Sequence, residues 1–521
     1  MSTVVATRSI SLSGISGIPV VVETQVSAGL PAITLVGLPD ASLRESKERV
    51  RAAVSSCGFS LGNHRVTINL FPAEIPKSGS GLDLAIAVSL IWAQGKLPAQ
   101  NLNTHFLIAE LGLDGKLHSV RGILPAVLAA KKNGAQAVIV SFEDFAPASL
   151  VPGIEILPCR HLREVLAILS GKNTCALPEL QLREERHHEE RPETQQEPAI
   201  IDLSEIHGQQ LAKRALEVAA AGGHNLFLYG TPGSGKTMLA KALPGILPPL
   251  TSEQALECAC IDSIALDRSA DLIKIKRTRP FIAPHHGITL PALIGGGGPL
   301  PIPGAITQAH QGVLFLDEAP EFAPRVLDAL REPLESKQVA IRRLRSSSVL
   351  PADFQLVLAA NPCPCGYAYS TKRRCTCSSL SQRRYLQRLS GPLLDRIDIQ
   401  VQVETPILGS SLDKPTETSK EVQKRVCQAR DRAQYRLSEF GLSTNAQLDG
   451  KTLSALNSRM DSQLLYQLRN LVNRGVLTMR GLDRVLKVAW TVADLADQEI
   501  PDSESVKTAL MLRQQGLEND I

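Results

Sequence analysis

The clearest chemistry in this chain lies in the run Gly230-Thr231-Pro232-Gly233-Ser234-Gly235-Lys236-Thr237. It fits G-x-x-x-x-G-K-[ST] and follows the apolar stretch Leu226-Phe227-Leu228-Tyr229, which reads as a short buried strand. Glycines let the backbone wrap an anion with successive N–H groups turned inward, at the start of a helix whose own first N–H groups lack partners. Lys236 adds a point charge for the β- and γ-phosphates, and Thr237 adds a hydroxyl for Mg²⁺. The pattern predicts a nucleoside triphosphate site.

Val313-Leu314-Phe315-Leu316-Asp317-Glu318 supplies the acidic partner. Four apolar residues ending in two carboxylates describe a central parallel strand that opens on the nucleotide. Asp317 is placed to hold Mg²⁺ with Thr237, and Glu318 to polarise the attacking water. Such a pair could instead cap a following helix. With a phosphate loop upstream, hydrolysis is the better reading, because binding alone has no use for Glu318. Phe354 to Ala360 is a further buried strand ending at Asn361, whose amide can orient the water or sense the γ-phosphate. Arg396, in Ser390-Gly-Pro-Leu-Leu-Asp-Arg396-Ile-Asp398, lies at the edge of the sheet domain, where an arginine serves a neighbouring subunit's phosphate. Arg480, in Thr478-Met479-Arg480-Gly481, opens a helix and is expected to reach the nucleotide of its own chain. A single arginine is more often a salt-bridge residue; the ordered set raises the catalytic reading.

Cys363-Pro-Cys365 and Cys375-Thr-Cys377 form two C-x-C pairs joined by a loop. Four thiolates so placed can surround one tetrahedral Zn²⁺ and staple an excursion that has no apolar core. Free or redox-labile thiols are the other reading. The remaining six of the ten cysteines are scattered, which excludes a disulfide scaffold.

These groups need elements to position them. Residues 1–170 read as a compact α/β domain, with strands at Val20–Val22, Ile33–Val36, Val66–Leu70 and Val138–Val140 and helices at Leu82–Trp92 and Pro125–Lys132. Residues 171–200 read as a flexible charged linker; its His187 and His188 are solvated rather than ligands. An ATPase core is expected over 201–405, carrying insertions and the cysteine excursion at 363–377. A linker at 406–420 leads to a helical lid over 421–511 and a tail at 512–521. The lid helices are predicted at Glu421–Tyr435, Ser462–Asn473, Leu482–Leu495 and Ser503–Gln514.

At 521 residues the chain exceeds one core, and 43% hydrophobic content supports real ones. Only 4% of the residues are aromatic, which argues against aromatic recognition, and a net charge of +4 says little about nucleic acid unless an assembly concentrates it. The start, Met1 to Ile10, has no continuous apolar core, and no window reaches the length of a spanning helix, so a cytoplasmic protein with no membrane partner is expected.

The ordered motifs resemble those of AAA+ ATPases of the magnesium-chelatase-like branch, most closely the YifB/ComM family, over nearly the whole chain. Arg279-Pro-Phe-Ile-Ala-Pro-His285-His286, Gly295–Gly298 and Gly391–Asp398 are further marks of the resemblance. It implies a three-layer αβα sandwich with a helical lid, a homo-hexameric ring, and ATP hydrolysis at subunit interfaces. For ComM-like members it implies a helicase activity: branch migration of single-stranded and branched DNA during integration in natural transformation and homologous recombination, alongside recombination or competence proteins. A ring that remodels proteins, or a chelatase-like motor subunit without DNA translocation, is the alternative. His285 and His286, adjacent between prolines and glycines, are not expected to share a metal ion.

The long interval between Lys236 and Asp317 suggests loops on the ring face around Arg277 to Gln311. Lys337-Gln-Val-Ala-Ile-Arg342-Arg343-Leu-Arg345 reads as a basic hairpin, with Arg343 and Arg345 on one face and Arg342 on the other. In a ring, Lys337, Arg342, Arg343 and Arg345 would form a cationic collar for DNA phosphates; a solvated edge hairpin is the bland alternative. The first domain resembles the Lon-protease-like fold. Pro76 to Asp83 matches the stretch carrying the protease's serine, but Gly81 stands in that position, Ser80 is one residue off, and Leu124 stands where the lysine base is expected. Without an activated hydroxyl and its base, acylation has no mechanism.

Overall fold

A computed structural model describes residues 4–30, 32–59, 64–74, 77, 79–96, 102–171, 200–265, 274–297, 301–342, 347–368, 373–404 and 416–513. The charged stretch with His187 and His188, Gly298, Arg343, Arg345 and most of the 406–420 linker lie outside the described residues.

The nucleotide motifs sit on a five-stranded sheet ordered Phe281–Ile282, Val313–Leu316, Gln355–Ala360, Leu226–Tyr229, Ile399–Gln402, with every neighbouring pair parallel. Parallel sheets are covered on both faces, which is why these strands read as unbroken apolar runs. Alternate side chains divide between two cores. Val313, Phe315, Val357 and Ala359 join a cluster that runs into the lid around Trp490. Leu314, Leu316, Leu356 and Leu358 join another with Phe322 and Leu393.

Register then decides what the sheet presents. Tyr229 pairs with Ala360, and Leu316 with Leu358. The phosphate loop, Asn361 and Asp317 therefore all leave the sheet at its C-terminal edge. The lid helices include Ser419–Leu437, Ser462–Asn473, Met479–Leu495 and Ser503–Met511, close to their predicted spans. Thr418 and Glu421 close the first with a reciprocal capping box. Of the basic stretch, the described residues Gln338–Arg342 form a strand antiparallel to Ser347–Pro351. In the long interval before Asp317, a two-stranded turn pairs Gly295–Gly296 with Ile302–Pro303.

The N-terminal region forms a mixed seven-stranded sheet ordered Ala32–Val36, His64–Phe71, Ser16–Ala28, Val4–Ser13, His105–Ile108, Ala137–Ser141, Glu155–Cys159. One face packs on helices Ala41–Ser56, Asp83–Ala93 and Leu162–Leu169. The other packs on Ile123–Lys132, and its core also takes in Ala259, Cys260 and Leu256 from the Ser252–Ala265 helix of the ATPase region. The Gly122 N–H donates to the Ser263 carbonyl at 3.1 Å. The two regions thus share apolar core. Among the described residues, no helix is long and apolar enough to cross a membrane.

Candidate active site

The phosphate loop turns because its glycines allow it. Gly235 has φ +91°, and a Cβ at Gly230 would run into the Val403 carbonyl oxygen. Lys236 is buried, and its Nζ donates to the carbonyls of Gly230 (2.8 Å) and Thr231 (3.0 Å) and to Asn361 Oδ1 (3.2 Å). Burial lowers its pKa, against the carboxylates of Asp317 and Glu318, which raise it. An ammonium with few counter-charges and a poor share of water gains strongly from a phosphate arriving in that loop. Ser234 Oγ, buried in the same loop, has no hydrogen-bond partner among the described residues.

Thr237 Oγ1 donates to Asp317 Oδ2 at 2.8 Å. A hydroxyl and a carboxylate in contact, beside a phosphate loop, are the hard oxygen donors that suit Mg²⁺, so these two residues would hold it. When bound, magnesium would neutralise charge on the phosphate oxygens. Glu318 stands next in chain with φ +51°, a strained conformation for a residue with a Cβ, and its N–H donates to Asp317 Oδ1 at 3.0 Å. That backbone turn lifts the Glu318 carboxylate out of the strand, about half exposed, where it can take a proton from water. Asn361, held against Lys236, brings its amide to the same edge.

Two neighbours of the site carried weaker signals. His286 Nδ1 lies 3.6 Å from Glu318 Oε2, and its ring is 4.0 Å from that of His285. Adjacent histidines say nothing by themselves about a carboxylate distant in sequence. Gln209, at φ +53° ahead of the Gln210–Gly222 helix, donates its amide to the Ser234 carbonyl. Only its place after a glycine hinted at a turn.

The two arginines occupy the opposite edge of the sheet. Arg396 precedes the Ile399–Gln402 strand, a strand length of about 13 Å from the loop that follows Tyr229. It pairs with Glu335 and donates to the Pro392 carbonyl at 2.6 Å. Arg480, expected at its own chain's nucleotide, instead pairs with Asp395 at 2.8 Å, one residue from Arg396. The reason is how the Met479–Leu495 helix docks. Its Arg484 donates to buried Asp398 (2.8 Å), and its Thr491 meets His224 Nε2 (2.7 Å), both groups lying where strands enter the sheet.

The four cysteines converge. Sγ–Sγ distances are 3.3 Å for Cys363–Cys365, 3.7 Å for Cys363–Cys375 and 3.5 Å for Cys365–Cys375, and all four sulfurs lie within 4.8 Å of one another. Backbone N–H groups of Tyr367 and Thr376 hold the Cys365 thiol well below its ordinary value, at about 5. Lys337 pairs with Asp353 at the base of the hairpin, and Arg342 ends its first strand. In the N-terminal region Ser80 Oγ donates to Glu110 Oε2 at 2.6 Å, Leu124 is core, and buried Lys77 donates to the Pro72 carbonyl.

Sequence comparison finds similar proteins along most of the chain. Residues 202–409 match the family model for magnesium chelatase, subunit ChlI; residues 22–144 match that for subunit ChlI of Mg-chelatase; and 416–513 match the ChlI C-terminal model. The chain is 40% identical to the uncharacterized protein YifB of Escherichia coli, over 96% of this chain and 95% of that one. It is 39% identical to competence protein ComM of Haemophilus influenzae, over 93% and 92%. Over 122 residues, 23% of this chain and 22% of the other, it is 32% identical to Lon protease 2 of Bacillus subtilis. Fold, site and similarity together make the chain an ATP-hydrolysing enzyme.

Proposed function

We propose that this chain, which belongs to the YifB/ComM family of magnesium-chelatase-like AAA+ ATPases, is a motor subunit that assembles into a ring and uses ATP to remodel a macromolecular partner. The observation that carries this is the division of the site. Lys236, Thr237, Asp317, Glu318 and Asn361 gather at one edge of the sheet, while Arg396 and Arg480 lie together at the other. A second copy docked edge to edge would bring both arginines to the first copy's γ-phosphate, so that hydrolysis and the joint between subunits respond to each other. The alternative of an own-chain role for Arg480 has no support in its pairing with Asp395.

The matched chelatase models favour a chelatase-like motor without DNA translocation. The reading as a DNA motor for branch migration has its own support: the basic hairpin, and similarity to a protein named for competence. The N-terminal region is read as a Lon-protease-like domain lacking the dyad, because Gly81 and Leu124 stand where the serine and lysine would; the chain's 122-residue similarity to Lon protease 2 is in keeping with that reading. One measurement separates the readings. ATP turnover is followed across protein concentration, with no DNA, with single-stranded DNA and with a four-way junction. DNA stimulation together with strand exchange supports the DNA motor. Concentration-dependent turnover indifferent to both DNAs leaves the chelatase-like motor, and turnover independent of concentration removes the shared site.

A further inference from the structure

We propose that Cys363, Cys365, Cys375 and Cys377 hold a zinc ion whose task is to brace the phosphate loop and Asn361, so that metal occupancy sets nucleotide turnover. The inference rests on the nucleotide site described above and adds a site that the ATPase reading does not require.

Three observations carry it. The first is spacing. Zinc bound tetrahedrally by thiolates at about 2.3 Å requires sulfurs about 3.8 Å apart; the separations among Cys363, Cys365 and Cys375 are 3.3 to 3.7 Å, with Cys377 Sγ within 4.8 Å of each, well beyond a disulfide's roughly 2 Å. Among the described residues, this is the one group of three or more His, Cys, Asp or Glu close enough to share an ion. The second is the surrounding donors. The Cys377 N–H (3.4 Å) and the Gln382 amide (3.3 Å) both aim at Cys375 Sγ, as outer donors do when they hold a thiolate ligand in orientation.

The third observation is position. Cys363 is fully buried two residues beyond Asn361, whose amide oxygen receives the Lys236 ammonium. Gly366, at φ +84°, lies so close to Pro232 of the phosphate loop that a Cβ there would collide with the proline ring. The cysteine turn therefore touches the loop on one side and continues into Asn361 on the other. The segment that makes both contacts has few apolar residues of its own, so a metal is what can keep it rigid. Misplacing reacting groups by about 1 Å costs turnover up to about a hundredfold.

The test uses the full-length protein, purified under reducing conditions without chelator. Zinc per chain is measured by elemental analysis, nucleotide affinity with a fluorescent ATP analogue, and turnover by phosphate release. The parent should carry close to one zinc. Cys375→Ser/Cys377→Ser should lose it and fall at least about tenfold in turnover, with circular dichroism unchanged. Gly366→Ala should keep zinc yet weaken nucleotide binding, because the added methyl pushes on Pro232; this variant separates bracing from folding. Zinc-free parent protein with free or oxidised thiols overturns the metal site. Parental affinity and turnover in both variants overturn the brace. Lys236→Ala provides the independent control: it should lose nucleotide while retaining zinc, and a parent that carries zinc but binds no nucleotide would instead overturn the ATPase reading.

Discussion

Replacing Asp398 by Asn should uncouple the lid from the ATPase core. Asp398 is buried, and one of its oxygens meets His224 Nδ1 at 2.9 Å while the other accepts from Arg484 at 2.8 Å. Burial alone would push its pKa up; the hydrogen bond from His224 and the nearby charges of His224, Arg484 and Lys487 outweigh that and bring it down to about 2. Against an ordinary value of 3.8, that difference corresponds to about 2 kcal/mol of stability at neutral pH. Because the folded value is depressed, the contribution is complete above about pH 4 and drains away as pH falls toward 2. Asn removes it and also leaves Arg484 without its carboxylate, so a loss of about 3 kcal/mol is expected. Trp490 lies buried in the same helix as Arg484 and reports the lid. Of the chain's two tryptophans the other is Trp92, so a Trp92→Phe background isolates the signal. Urea unfolding followed by Trp490 emission should show an earlier lid transition in Asp398→Asn at pH 7, with the gap closing as pH is lowered toward 2. An unchanged midpoint at pH 7, or a gap that does not depend on pH, would refute the reasoning.

Lys236→Ala should abolish nucleotide binding, whereas Glu318→Gln should bind ATP and lose turnover about a hundredfold or more, as read by equilibrium binding and phosphate release; equal turnover in Glu318→Gln and parent would free Glu318 of its role. Arg396→Ala should bind ATP without hydrolysing it, and mixing it with Glu318→Gln should restore part of the activity at mixed joints; mixtures no more active than their components would count against a shared site. Substituting Arg342, Arg343 and Arg345 together should weaken DNA binding alike for all sequences and flatten its salt dependence by about one phosphate contact per arginine, measured by anisotropy from low to high salt. Burial raises Asp144 to about 7, despite the Ser141 hydroxyl and Val120 N–H it accepts, so the folded N-terminal region prefers the neutral acid. Stability there should fall between about pH 4 and 7, by about 4 kcal/mol in all, with Asp83 at about 6 adding in the same direction. Denaturation of Asp144→Asn across that range should show a shallower slope than the parent, and identical slopes would contradict it.

Much of the site was legible because its parts are local. A phosphate loop needs glycines, a lysine and a hydroxyl at fixed spacing after a strand, and Gly230–Thr237 carries all of it on consecutive residues. Asp317, Glu318 and Asn361 were readable because buried parallel strands are apolar throughout and a polar residue marks their end. The lid helices declared themselves through periodicity. In the N-terminal region, Val4–Ser13 and Glu155–Cys159 were harder to read as strands, the first alternating with small hydroxyl residues and the second interrupted by Pro158.

What no spacing in the chain could express is which edge of a sheet a distant side chain reaches. Arg480 follows a good helix start and could have faced its own nucleotide; the docking of its helix through Arg484 and Thr491 onto Asp398 and His224 puts it beside Arg396 instead. The contact of His286 with Glu318, the meeting of Gly366 with Pro232, and the helix Ser252–Ala265 packed into the N-terminal core are likewise pairings between segments far apart in sequence. Local chemistry and periodicity determine which elements form and what each can do. Packing of one apolar face against another decides which of them meet.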